Sequence, residues 1–121
     1  VWALAAPTEA EAQHHFTPRA RWRLLRDRGI FPPIDTPEEA AAFPYSEAEK
    51  ARMESMRRAA FVGTPRQVGE RLRALAAAFG VGELVVVTWT HDESVRRRSY
   101  ALIAEEFGLC DGPSRPERTG A

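Results

Sequence analysis

The stretch Leu84-Val85-Val86-Val87, continued by Thr88-Trp89-Thr90, constrains the fold most. Successive side chains of a strand point to opposite faces. A β-branched run that is apolar at every position therefore asks for cover on both faces, as a strand in a parallel sheet has. A second run, Val1-Trp2-Ala3-Leu4-Ala5-Ala6, ends at Pro7 and reads as a buried strand of the same kind.

Between and after these runs the sequence marks helices by their starts and stops. Thr8-Glu9-Ala10-Glu11 has capping-box spacing and predicts a helix to about Phe16. Thr17-Pro18 predicts a kink or a restart there, with the helix resuming through Trp22, Leu24 and Leu25 and stopping at Gly29. Residues 29–44 hold four prolines and read as loop, with one or two helical turns opening at Thr36-Pro37. Ser46-Glu47-Ala48-Glu49 opens a polar helix to about Ala60. Phe61-Val62-Gly63 is a brief extended piece. Thr64-Pro65-Arg66-Gln67 starts a helix whose Val68, Leu72, Leu75, Ala76 and Phe79 share one face. Gly80 stops it. His91-Asp92 caps a last helix carrying Val95, Tyr100, Leu102, Ile103 and Phe107 and ending at Gly108.

Strand, long helical connection, helix, strand, helix is an alternation that argues for parallel βα units. Two strands do not make a stable sheet alone. Each fully buried Leu, Val or Trp contributes roughly 1.5–3 kcal/mol, so leaving one face of both strands open would forfeit about 10 kcal/mol, comparable to a domain's whole net stability. The expectation is that further strands come from missing sequence or from a partner. The opening on a strand, at Val1, carries the same expectation of a longer protein.

At 121 residues the chain has room for one core. With 44% hydrophobic and 28% charged residues it is globular rather than disordered. A formal net charge of zero gives no field to draw it to nucleic acid or to an anionic membrane. No apolar run approaches the ~20 residues of a membrane span. The single cysteine, Cys110, makes no internal disulfide and fits a reducing, cytoplasmic compartment.

The ordered set from Phe61-Val62-Gly63-Thr64-Pro65-Arg66-Gln67-Val68 through Arg71-Leu72, Gly80-Val81-Gly82-Glu83-Leu84-Val85-Val86-Val87, Arg98-Ser99-Tyr100, Ala104 and Phe107 resembles the end of bacterial-luciferase-like, flavin-dependent monooxygenases. Ala5-Ala6-Pro7-Thr8-Glu9-Ala10-Glu11-Ala12 resembles that family's strand-to-helix step, with Pro7 in place of its usual aspartate. The resemblance implies an α/β fold. The chain would be the C-terminal segment of a (β/α)8 TIM barrel, two parallel strands plus helices, incomplete as an isolated chain. Residues 1–6 would be the seventh strand and 83–90 the eighth. Residues 1–110 would form the barrel portion, with 8–60 a helical lid and 61–110 the last helix-strand-helix; 111–121 would be a disordered tail. It also implies reduced FMN and dioxygen acting on a small organic substrate, with the deazaflavin F420 replacing FMN in some relatives, no metal, and a chain inactive alone. No catalytic residue is carried over, because the family's catalytic and phosphate-binding positions lie mostly on the first six strands. A competing class is a small non-enzymatic helical module that forms a homo-oligomer or binds a protein partner through its apolar strands.

Thr88, Trp89 and Thr90, at the end of the second strand, are the substrate-pocket candidates, with plain packing as the other reading. His14 and His15 are adjacent on a helix and point about 100° apart, which does not suit one metal. His91-Asp92 reads as a helix cap before an acid/base pair. Arg96-Arg97-Arg98 spreads over three directions and reads as solvated. Met53 and Met56 read as packing.

Overall fold

A computed structural model describes residues 1–109. The elements run β1 (Ala3–Ala5), α1 (Glu9–Asp27), α2 (Pro37–Ala42), α3 (Glu47–Ala59), β2 (Phe61–Gly63), α4 (Pro65–Phe79) and α5 (Glu93–Glu106). The predicted tail 111–121, and Cys110, lie outside the described residues.

Local chemistry starts the helices where the sequence marks them. Ser46 accepts from the backbone N–H of Glu49, whose carboxylate accepts from that of Ser46. Thr64 and Gln67 make the same reciprocal pair at α4. Gly80 closes α4 in the left-handed conformation, φ 63°. At α1 half of the expected box forms. Thr8 Oγ1 accepts from Glu11 N at 3.2 Å, but the Glu11 carboxylate is taken by Arg98 of α5.

The helix does not restart at Thr17-Pro18, and α1 runs through Pro18 for 19 residues. Pro18 lacks an N–H, yet its ring is fully buried. Thr17 Oγ1 donates to Gln13 O at 3.0 Å, supplying one hydrogen bond in the disrupted turn. Packing outweighs the local penalty here.

The sheet corrects the larger expectation. The described residues form five helices and two three-residue parallel strands, in the order β1-β2, with no barrel. β1 pairs with Phe61–Gly63, in the register Ala3 to Phe61, Leu4 to Val62 and Ala5 to Gly63. The piece that reads as a brief extended segment is thus the regular partner. The run 83–90, expected as the second strand, makes a single parallel bridge, Val87 to Trp2.

The physical reason lies in the backbone hydrogen bonds along that edge of β1. Val87 N donates to Val1 O, and Ala3 N donates to Val87 O, at 2.8 and 3.2 Å. Beyond this point side chains replace the ladder. Thr88 Oγ1 donates to Ala3 O at 2.5 Å. Ser99 Oγ accepts from Ala5 N at 2.9 Å. Tyr100 Oη accepts from Thr88 N at 2.8 Å and donates to Thr88 O at 3.3 Å. Every one of these polar groups has a partner, and none of them is left to continue a strand.

Two cores flank β1. On one side Leu4, Ala6 and Val62 meet Ala12, Phe16, Ala20 and Leu24 of α1 and Met53 and Met56 of α3. On the other, Ala3 and Ala5 meet Val68 and Leu72 of α4 and Ile103 of α5, with Leu84 and Val86 packed alongside. The two-sided cover expected of the 83–90 run is only half realised, because Val85 and Val87 stay 70% and 47% exposed. Phe79 also departs from its expected burial. A 15-residue helix is about 22 Å long and a three-residue strand about 10 Å. The last turn of α4 outruns the sheet, and Phe79 is exposed.

Candidate functional site

The α1 face of the sheet gathers all three tryptophans of the chain. Trp2 precedes β1, Trp89 follows the bridge at Val87, and Trp22 lies on α1. Trp89 meets Trp2 edge to face at 6.0 Å between centroids and Trp22 at 5.4 Å. Phe16 and Phe31 extend the cluster beside Trp2 and Trp22. Trp22 Nε1 donates to Pro32 O at 3.1 Å, which ties the proline-rich loop to α1. Trp2 Nε1 is buried with no hydrogen-bond partner, an uncommon state for an indole N–H.

Arg19 enters this cluster from α1. Its Cζ lies 4.3 Å from the Trp2 ring centroid and 4.7 Å from that of Trp89. Arg26 lies over Trp22 at 5.6 Å. Burial, then the like charges of Arg23 and Arg26, pull the Arg19 pKa down to about 10. Two indole faces offset part of that cost, each contributing ~0.5–2 kcal/mol.

Of the three expected pocket residues, Trp89 alone belongs to this cluster. The Thr88 hydroxyl is spent on Ala3 O, and Thr90 Oγ1 donates to Asp92 O. Tyr100 holds Thr88 of the 83–90 run in place, and Ser99, 0% exposed, holds Ala5 of β1. Both belong to the Arg98-Ser99-Tyr100 pattern, but nothing in its local spacing discloses that Ser99 has a partner 94 residues away.

The other singled-out residues have settled surroundings. Asp92 Oδ1 accepts from Ser94 N and so caps α5. Arg96 and Arg97 pair with Glu93 at 3.7 and 2.9 Å, and Arg98 with Glu11. His14 and His15 stack edge to face at 5.1 Å, and His14 reaches Glu38 at 3.5 Å. Burial, and then His14, depress the His15 pKa. Among the described residues no group of three or more His, Cys, Asp and Glu side chains is placed to hold a metal. A polar hollow between α1, α3 and α4 is lined by Glu54, paired with Arg57 and Arg58, and by Gln13, whose Oε1, like the Nε of Arg57, is buried with no partner.

A flavin mononucleotide needs a flat slot and donors for its phosphate. The indoles here meet edge to face and leave no parallel slot between them. At the N-termini of α1, α3, α4 and α5 one backbone N–H each is taken by Thr8, Ser46, Thr64 and Asp92. The indole cluster by itself does not fit the ring system of FMN or F420.

No protein-family model matches the chain. It is similar to two proteins of Bacillus subtilis (strain 168). One is the uncharacterized protein YceB, 27% identical over 88% of this chain; the other is the uncharacterized protein YwcH, 35% identical over 88%. In each case the chain spans 32% of the relative's length. A solved structure, apo-MsnO8, superposes with a TM-score of 0.74 at 31% identity, covering 90% of this chain and 34% of the other. No helix among the described residues is long and apolar enough to cross a membrane.

Proposed function

We propose that this chain is part of a luciferase-like, flavin-dependent monooxygenase acting with reduced FMN and dioxygen on a small organic substrate, and that it is inactive by itself. One observation carries the reading. The two separated stretches that bear the family-like pattern, 5–12 and 61–107, meet at Ala5 of β1, through its pairing with Gly63 and its hydrogen bond to Ser99. The cofactor would supply the oxygen chemistry; this chain's own part is the aromatic wall of Trp2, Trp22 and Trp89, which excludes water. The cellular setting that goes with this reading is the cytoplasm. The deazaflavin F420 is the cofactor of the sister reading in the same superfamily.

The test has two stages. Flavin fluorescence is titrated with this chain, and no saturable quenching is expected at micromolar FMN. The titration is then repeated with the protein encoded by any in-frame continuation of the gene upstream of Val1. Tight FMN binding and substrate-dependent oxygen uptake by the longer protein support the reading. Binding of F420 alone moves it to the deazaflavin branch. Neither binding overturns it.

The exposure of Val85 and Val87 favours a second reading, a module that associates with itself or with a protein partner. Size-exclusion chromatography with light scattering separates the two, since a discrete oligomer at low protein concentration belongs to the module.

A further inference from the structure

Arg19 is the one component of the tryptophan cluster whose chemistry is left open. Its guanidinium touches two indole faces, yet it forms no side-chain hydrogen bond and no ion pair among the described residues. The charges that act on it are Arg23 and Arg26, of the same sign. Arg23, one turn on, also forms no ion pair among the described residues. The acids nearest to Arg19 in sequence, Glu11 and Asp27, are held by Arg98 and by Arg52. A guanidinium carries five N–H donors in a planar fork. Arg19 is a half-buried cation that donates to no partner among the described residues and lies beside the like charge of Arg23.

We propose that Arg19, backed by Arg23, binds the carboxylate of a small organic acid whose apolar body lies against Trp2 and Trp89. A planar carboxylate matches the guanidinium fork with two parallel hydrogen bonds. The indole faces suit an apolar body and disfavour a small, fully hydrated dianion, which would have to shed its water against them. This site is independent of the flavin reading, because it rests only on Arg19, Arg23 and the indoles beside Arg19.

Trp2 and Trp89 lie against Arg19 and Trp22 touches Trp89, so intrinsic fluorescence reports on the site directly. Benzoate and its uncharged isostere benzamide are titrated at constant ionic strength. Benzoate is expected to give a saturable change, with benzamide at least tenfold weaker. Arg19→Gln is expected to remove the difference between the two, and Arg23→Gln to weaken benzoate by a smaller factor. Equal affinity for both probes in the parent protein overturns the proposal, and so does an absence of saturation with benzoate. This comparison needs no variant to fold. An Arg19→Gln protein that folds and retains the benzoate preference overturns it as well.

Discussion

The buried hydroxyl of Ser99 accepts the backbone N–H of Ala5 at 2.9 Å, joining α5 to the end of the chain's first strand across 94 residues of sequence. Ser99 is 0% exposed, so no bulk water stands ready to replace it. Ser99→Ala leaves a buried N–H without an acceptor, which costs ~1–3 kcal/mol. A fall in the urea midpoint of matching size is expected. An unchanged midpoint would show that the hydroxyl is dispensable.

Gly63 is where β2 hands the chain to α4. A Cβ at this position would collide with Gln67 Oε1, the atom that accepts from Thr64 N. Gly63→Ala therefore displaces the capping amide, at a cost of about 1 kcal/mol for the lost cap. Adding Gln67→Ala in that background should cost less than Gln67→Ala alone, since the two changes remove one interaction. Full additivity in denaturation experiments would refute the shared mechanism.

The Val85 and Val87 side chains form an apolar strip beside an edge that carries no further strand among the described residues. Val85→Lys puts a charge on this edge and should suppress association. Light scattering at fixed concentration should show a lower mean mass, with the denaturation midpoint changed little. A stable monomer in the parent protein would remove the basis of this expectation.

His15 gives the stability a pH dependence near neutrality. Burial lowers its folded-state pKa below the unfolded value of 6.5. Above that value the ring is neutral in both states and the burial is free of charge cost. As pH falls below 6.5 the unfolded chain takes up the proton first, so stability declines until the folded pKa is passed. The groups that act on the ring are His14, Glu11, Arg98 and Asp92. Asp92 and Glu49, whose carboxyls are held low by hydrogen bonds from Ser94 and Ser46 respectively, contribute a further loss only at more acid pH. Urea midpoints measured from pH 8 to 5 should fall in the parent and flatten in His15→Gln; a slope unaltered by that substitution would assign the dependence elsewhere.

The sequence by itself determined where helices begin and end. Ser46 with Glu49, Thr64 with Gln67, and Gly80 act within a turn of one another, so their effect is written in short spacing. It also marked the burial of Leu4 through an unbroken apolar run, and of Val68, Leu72 and Met53 through helical spacing. Only the tertiary structure decided which segment pairs with β1. An apolar run declares its wish for burial and not its hydrogen-bond partner, and the hydroxyls of Thr88, Ser99 and Tyr100 took the backbone groups that a longer strand would have used. The continuation of α1 through Pro18 was likewise settled by packing against the core. The placing of Arg19 between Trp2 and Trp89 is legible in no local pattern. It arises because a helix and two strand ends, far apart along the chain, present their side chains to one face of the same small sheet.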